Sequence, residues 1–325
     1  MPYRKKLIFL LSLIGALSLI FTASLIFNPQ SSGARSALYV WLDSKPALRI
    51  SQIVISGAAE KTELVKINDR WFVTYNGREY PARQLRVDDF IAVFTARAAW
   101  PVRSTSASSH ARLGLENGTG TRVTLYGENT SLLDLLFGSQ NGREINVRRY
   151  GQNEVRYTDS SAASYITSPV RSWFNLRLIP ESEDGRIAVD SVQRLSVYTT
   201  VAHLAGAAHP AGAASIVFSR RNREWTVSGA QITNPDQNSI DSYIRSVLNA
   251  EGEDFNTEMS ADSPVLTHSR IVLELGDGSV RTIRLSEPDE SGKCFAHVTG
   301  SDFIYSLSSW TAGRLFRNFA EFEKQ

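Results

Sequence analysis

The longest run of hydrophobic positions lies near the N-terminus. Residues 7–27 contain no charged side chain, and as a helix they would span about 31 Å, roughly the hydrocarbon thickness of a bilayer. A cleavable signal peptide has an apolar region of only about 7–15 residues. The length of the run therefore favours a retained transmembrane helix over a signal peptide, which would be cleaved after Ser24 or Ala34.

Basic residues flank this run unevenly. Arg4, Lys5 and Lys6 precede it, whereas only Arg35 follows closely. Positive charge next to a transmembrane helix favours the cytoplasmic side. We therefore expect residues 1–6 in the cytoplasm and the rest of the chain, after the helix, in the periplasm or extracytoplasmic space. No later run is long enough to span a bilayer, so the sequence predicts a single-pass protein of the cytoplasmic (inner) membrane.

Beyond the run, alternation of apolar and polar positions predicts strands, and three segments have helical spacing. In the first half, Ile50, Ile53 and Ile55 open a hairpin whose return strand carries Trp71 and Val73. Further strands are predicted at 121–126, 132–137, 145–150, 191–198, 215–219, 224–228, 270–275, 280–285 and 294–298. Helices are predicted at 87–98, 237–250 and 308–321, with another from Asp159 toward Trp173. The apolar positions at helical spacing are Val87, Phe90, Ile91 and Phe94 in the first helix, Ile240, Tyr243, Ile244, Val247 and Leu248 in the second, and Trp310, Leu315, Phe316 and Phe319 in the third. Asn76-Gly77 is a strong hairpin-turn signal.

The pattern in the first half recurs in the second half. Arg70-Trp71-Phe72-Val73 corresponds to Glu224-Trp225-Thr226-Val227. The predicted helix that follows each of these strands carries Asp88 in the first half and Asp241 in the second. Tyr157 and Tyr305 end equivalent strands. These three residue pairs are offset by 154, 153 and 148 positions, which is too long for a solenoid repeat. We therefore predict two tandem copies of an α+β unit with a mostly antiparallel sheet, at 48–181 and 188–321.

Segments rich in small and polar residues separate these units. Residues 28–47 are predicted to be a linker, within which 38–42 is either part of the tether or a short docking helix. Residues 181–185 are the predicted junction between the copies. The equivalent places of Trp71 and Trp225 favour a core role over ligand stacking. Asp88 and Asp241 are expected to cap the starts of their helices.

Composition narrows the classes of function. The net charge is +2. Without the three basic residues that precede the apolar run, the chain has 32 basic and 33 acidic residues, a net charge of −1. A near-neutral ectodomain offers no basic face for nucleic acid. Cys294 is the only cysteine, which excludes an intramolecular disulfide and a multi-cysteine metal site. Its apolar neighbours predict a buried thiol.

Motifs that would indicate catalysis are missing. The five histidines form no HExxH pattern, and no GxSxG elbow occurs. Gly292-Lys293 resembles the end of a phosphate-binding loop, but Glu287 replaces the first glycine. His203 and His209 lie in an Ala/Gly-rich stretch, 199–215, which is either a mobile binding loop or an elongated hairpin loop. We expect no catalytic residue, no metal and no cofactor.

Residues 63–94, ELVKINDRWFVTYNGREYPARQLRVDDFIAVF, resemble a bacterial domain-of-unknown-function family. Later segments, TRVTLYG, INVRRYGQNEVRYTDSS and SWFNLRL, are similar to the rest of its pattern. The resemblance covers about 60–180 well and 190–320 more loosely. Members are single-pass envelope proteins encoded beside ABC-2-type transporters of the gliding-motility-auxiliary kind. The resemblance implies an extracytoplasmic accessory subunit, and the family supplies no catalytic residues.

Three functions are compatible with these patterns. The leading hypothesis is a non-enzymatic, membrane-anchored subunit that binds an ABC transporter permease or an auxiliary ectodomain. The second is an envelope protein that grips a glycan or peptide between its two lobes without a transporter. The third, a hydrolase assembled from scattered Asp, Ser and His residues, has the least support because no motif indicates it.

Overall fold

The computed structural model describes residues 38–57, 60–128, 130–142, 144–159, 162–180, 187–199, 214–267 and 269–324. The predicted transmembrane helix 7–27 and its flanking Arg4, Lys5 and Lys6 lie outside these residues. Within the described ranges no helix is both long and apolar enough to cross a membrane. The described chain is α+β, and its paired strands are antiparallel, which confirms the predicted fold class at this level.

The chain divides into two units at Asn175 and Leu176. The strands of the first unit are β1 (Leu38–Tyr39), β2 (Gln52–Ser56), β3 (Lys61–Ile67), β4 (Arg70–Tyr75), β5 (Arg78–Pro81), β6 (Ala98–Ala99), β7 (Val102–Ser104), β8 (Thr121–Gly127), β9 (Thr130–Asn141), β10 (Glu144–Arg149) and β11 (Val155–Asp159). Its helices are α1 (Ser44–Ala47), α2 (Gln84–Thr95) and α3 (Ala163–Ile166), with short 3-10 helices at Ala107–Ser109, Ala111–Leu113 and Val170–Trp173.

The strands of the second unit are β12 (Val192–Thr199), β13 (Ala214–Arg221), β14 (Glu224–Ser228), β15 (Asp254–Asn256), β16 (Ser269–Leu275), β17 (Val280–Leu285), β18 (Cys294–Val298) and β19 (Ile304–Leu307). Its helices are α4 (Gln237–Leu248) and α5 (Ser309–Leu315), with 3-10 helices at Val189–Ser191, Pro264–Thr267 and Phe319–Phe322. The predicted strands and the helix at 237–250 lie close to these bounds.

The two main sheets have the same strand order over the described residues. The order is β5–β4–β3–β2–β8–β9–β10–β11–β7 in the first unit and β14–β13–β12–β16–β17–β18–β19–β15 in the second. The first sheet differs only by its additional edge strand, β5. In each unit a helix, α2 or α4, follows the first group of main-sheet strands. The next strand of the main sheet along the chain, β7 or β15, lies at the opposite edge of the sheet. The last four strands, β8–β11 or β16–β19, then fill the space between. Strands β1 and β6 form a separate two-stranded sheet.

Matching hairpin turns accompany this shared order. The β3–β4 turn places Asn68 and Asp69 at φ 48° and 61°, and the β13–β14 turn places Asn222 and Arg223 at φ 50° and 70°. Two successive left-handed residues match the right-handed twist of antiparallel strands. Asn76 and Gly77 do the same between β4 and β5, at φ 50° and 73°, as their sequence predicts.

Each main helix buries one apolar face. The residues Val87, Phe90 and Phe94 of α2 are buried, whereas the predicted fourth member of that stripe, Ile91, is only half-buried. All five residues predicted for the apolar face of α4 are buried, namely Ile240, Tyr243, Ile244, Val247 and Leu248. Period-3.6 spacing therefore identified the buried face of α4 more completely than that of α2.

Two predicted helices are interrupted. The helix expected from Asp159 toward Trp173 is divided into α3 and a 3-10 helix that begins after Pro169. Proline lacks an N–H group and clashes with a preceding helical turn, which explains the break. The helix predicted at 308–321 ends at Leu315, and only a 3-10 helix follows it.

The predicted boundaries at 28–47 and 181 need correction. Residues 38–42 do not form a docking helix, because Leu38 and Tyr39 pair with Ala99 and Ala98 in a small sheet. Part of the predicted linker thus belongs to the first unit. At the other boundary, the main-chain N–H groups of Leu178 and Gly252 donate to Ala250 and Leu176. These bonds place residues 176–180 in the second unit, and the predicted junction 181–185 lies outside the described residues.

Candidate functional site

Trp71 and Trp225 occupy the same place in the two sheets, on β4 and β14, and both are buried. Neither indole is available to stack on a ligand in this conformation. In the second unit the indole Nε1 of Trp225 also donates to Oδ1 of Asp241, at 2.7 Å. Their burial agrees with a core role.

A glutamine holds the backbone of each tryptophan. In the first unit, Oε1 of Gln84 accepts from the Trp71 N–H at 2.8 Å, and Nε2 donates to the Trp71 carbonyl at 3.0 Å. Gln237 makes the same pair with Trp225, at 2.7 and 3.0 Å. Each glutamine is the first residue of its helix, so its amide extends the strand's hydrogen bonding and joins helix to sheet. This pair is not among the residues predicted from the sequence, although Gln84 and Gln237 share the 153-residue offset of Asp88 and Asp241.

Asp88 and Asp241 do not cap their helices, so the predicted role is wrong. Both lie four residues after the first helical residue, because α2 and α4 begin earlier than the predicted apolar stripe. The residue that caps α4 is Asp236, whose side chain accepts from the Asn238 N–H at 3.0 Å. Asp241 instead binds the buried Trp225. Partial desolvation raises the pKa of Asp88.

Tyr157 and Tyr305 also lie on equivalent strands, β11 and β19, and each contacts the edge strand beside it. The guanidinium of Arg103 on β7 lies 4.1 Å from the ring centre of Tyr157. The ring of Phe255 on β15 lies 5.3 Å from that of Tyr305. Tyr305 is buried, and this burial raises the pKa of its hydroxyl. Both tyrosines hold the last strand of their sheet.

The described histidines have structural partners. The ring of His297 is buried between the guanidinium of Arg284, 2.9 Å from Nδ1, and the carbonyl of Ser301, 2.8 Å from Nε2. Because a guanidinium only donates, Nδ1 accepts and Nε2 carries the proton. His110 contacts the carbonyl of Asn153 at 3.1 Å. The remaining three, His203, His209 and His268, lie outside the described residues.

Cys294 is buried, as predicted, and this burial raises the pKa of its thiol to about 12. A thiol of that pKa is almost entirely protonated at neutral pH, and the thiolate is the reactive form. Among the described residues, no group of three or more His, Cys, Asp or Glu side chains is arranged to hold a metal ion.

Trp310 is the most exposed aromatic residue among those described in the second unit. All six tryptophans lie within the described residues, and the other five are buried, whereas Trp310 is 68% exposed. The predicted apolar stripe of the closing helix includes Trp310, and for this residue the prediction is wrong. The buried apolar residues of α5 and of the segment that follows it are Ala312, Leu315, Phe316 and Phe319, and none of them lies three or four positions from Trp310. That spacing was the sequence signal for its exposure.

Trp310 lines a cleft of about 160 Å³ between the C-terminal end of α4 and the start of α5. Its lining residues are Ser246, Asn249, Ala250, Glu251, Trp310, Thr311 and Arg314. The Arg314 guanidinium lies 4.6 Å from the Trp310 ring centre and donates to Oγ of Ser246 at 2.8 Å. The carboxylate of Glu251 lies 3.3 Å from Nε of Arg177.

These contacts give the cleft a defined shape. Arg314 and Trp310 are four residues apart on one helix, so their stacking restrains both side chains. The Arg314–Ser246 bond then ties α5 to α4. An exposed tryptophan supported by an arginine, beside amide and hydroxyl groups, is the type of surface that dominates binding energy in protein interfaces. Chemically, the cleft is suited to recognition.

Comparison with known proteins identifies the family. The model of the family described as "Domain of unknown function (DUF4340)" matches residues 71–267, from β4 of the first unit to the segment before β16 of the second. Searches of curated proteins and of solved structures found no match. Since the matched residues make up more than half of the chain, the protein belongs to this family of domains of unknown function.

Proposed function

We propose that this protein is a membrane-anchored, non-catalytic interaction subunit on the extracytoplasmic side of an ABC-type transport system. It would bind a permease or an auxiliary ectodomain of the gliding-motility-auxiliary kind. The transporter association comes from the family resemblance alone. The apolar segment 7–27 and the basic residues before it support the anchor and its orientation.

The observation that carries the proposal is the exposed Trp310 at the cleft. A buried tryptophan stabilises a fold, but one that is 68% exposed contributes little to its own domain. Its large apolar surface becomes useful when a partner covers it. The Arg314 guanidinium stacks on the ring and restrains its orientation, so less side-chain entropy is lost on binding.

A second candidate function is supported by the polar lining of the same cleft. Asn249, Glu251 and Thr311 offer amide, carboxylate and hydroxyl groups beside the indole. Such groups suit a glycan or a short peptide, which an envelope binding protein without a transporter would recognise. The volume of about 160 Å³ is below that of a typical drug-sized pocket, so only one sugar ring or one side chain would enter.

Replacing Trp310 with alanine should weaken capture of the partner while leaving the fold intact. Loss of an interface hot spot of about 2 kcal/mol corresponds to roughly 30-fold weaker binding. The measurement is recovery of transporter subunits with the full-length protein from mild detergent. Val280→Ala is the matched control, because Val280 is also an exposed apolar residue of the second unit, at 51%, but does not line the cleft.

Two results would contradict the proposal. Equal recovery of transporter subunits with Trp310→Ala, Val280→Ala and the unmodified protein would show that the cleft does not bind the partner. Recovery of the protein alone, with binding of a glycan or peptide lost in Trp310→Ala, would favour the second candidate. Turnover of a small substrate that one point mutation abolishes would indicate an enzyme instead.

A further inference from the structure

A short turn in the first unit presents one fully projecting apolar side chain. Leu48, at the end of α1, is 85% exposed, the highest value among the large hydrophobic residues described. Main-chain bonds hold the turn in place. The N–H groups of Ala47 and Leu48 donate to Asp43 and Ser44 at 3.2 Å, and that of Arg49 donates to Pro46 at 3.0 Å. Leu48 therefore projects from an ordered backbone.

Two cations flank Leu48. Lys45 and Arg49 are both exposed, and neither makes an ion pair with another described residue. Asp43 is the one acidic residue of the turn. The net charge of residues 43–49 is therefore +1. A leucine between two long basic side chains suits a bilayer interface. The leucine can enter the apolar boundary, while the basic groups extend toward lipid phosphates and water.

The turn lies close along the chain to the predicted membrane helix. Leu38, itself 60% exposed, is joined to the unit by its pairing with Ala99. Just beyond it, the N–H groups of Trp41 and Leu42 both donate to the Phe94 carbonyl, at 3.0 and 3.1 Å. Ten residues, 28–37, lie between Phe27 and Leu38, so this end of the unit is at most about 40 Å from the end of the predicted helix.

We propose that the turn at residues 43–49 contacts the bilayer surface, with Leu48 inserted at the interface and Lys45 and Arg49 directed at anionic lipid headgroups. This contact would orient the first unit on the membrane beside the transporter. The inference rests on the membrane anchor of the proposed function. It does not depend on the Trp310 cleft or on the identity of the partner.

The test is site-specific fluorescence of the full-length protein in lipid nanodiscs that contain phosphatidylcholine and phosphatidylglycerol. Leu48→Cys is labelled with the environment-sensitive dye NBD. The native Cys294 is buried, so the unmodified protein serves as the labelling blank. Val280→Cys is the matched control, because it introduces an exposed label in the second unit. Spin-labelled lipid should quench the Leu48→Cys label at least about twofold more than the control label, as expected for insertion at the interface.

The basic residues supply a second readout. In the Leu48→Cys protein, changing both Lys45 and Arg49 to glutamine should reduce this quenching, as should nanodiscs of phosphatidylcholine alone. Equal quenching of the Leu48→Cys and Val280→Cys labels would overturn the bilayer contact while leaving the anchor intact. Shielding of Leu48→Cys only when transporter subunits are bound would also overturn it, in favour of a protein interface. A full-length protein that fails to enter nanodiscs would overturn the anchor, and this inference with it.

Discussion

Replacing Trp71 with alanine should lower the free energy of unfolding of the first unit by about 3–5 kcal/mol. The indole is buried on β4, so its removal costs both apolar burial and a cavity. The hydrogen bonds between Gln84 and Trp71 involve only the backbone of Trp71, so they survive the change. Denaturant unfolding of the full-length protein in detergent would measure the effect.

Trp310→Ala is the matched control for this prediction. It removes the same side chain from an exposed position, where substitutions change stability by about 0.5 kcal/mol or less. If Trp71→Ala left stability unchanged but abolished binding of a ligand, the tryptophan would be a stacking residue. The core interpretation of both Trp71 and Trp225 would then be wrong.

The second large effect is expected at Arg148, a buried arginine on β10. Its side chain is 5% exposed and donates to the Leu115 carbonyl from Nε and Nη2, at 3.1 and 3.0 Å. It also donates to Oδ1 of Asn117 at 3.0 Å and to the Gln152 carbonyl at 3.2 Å. Among the described residues it has no carboxylate partner. The guanidinium therefore joins two loops to the sheet through neutral acceptors, one loop containing Leu115 and Asn117 and the other containing Gln152.

Arg148→Ala should destabilise the first unit by on the order of 3 kcal/mol, because it removes charge-assisted hydrogen bonds and leaves buried carbonyl groups without a donor. Arg148→Lys should recover only part of this loss, since an ammonium lacks the planar fork that reaches both loops. Denaturant unfolding is again the measurement.

Arg122→Ala provides the matched comparison for Arg148. Arg122 pairs with Asp134 through two bonds of 2.9 and 2.6 Å, but its side chain is 42% exposed. An exposed ion pair contributes about 0–1 kcal/mol. A cost at Arg148 no larger than that at Arg122 would contradict the role assigned to the buried guanidinium.

The sequence by itself determined most of the local structure. Strands β16 to β18 and helix α4 lie close to their predicted bounds, because alternation and 3.6-residue spacing follow directly from which side of an element is buried. The turn at Asn76-Gly77 was predictable for a different reason. Its left-handed conformation depends on the two residues alone. The equivalence of Trp71 and Trp225 was also visible, since it required only comparison of the two halves.

The tertiary structure decided the features that depend on distant partners. Residues 38–39 form a strand only because Ala98 and Ala99 lie beside them. Arg148 is buried because two separate loops supply its acceptors, and no local pattern marks a polar residue for such a place. Gln84 and Gln237 likewise acquire their role from a strand more than ten residues away.

The cleft shows the same division most clearly. Helical spacing identifies which residues of α5 share a face, but it does not say which face the rest of the unit covers. Trp310 became exposed because α5 packs through Thr311, Ala312 and Leu315. The cleft then required the end of α4 to lie beside it. A binding surface is made of residues from separate elements, so its location follows from packing rather than from the order of residues along the chain.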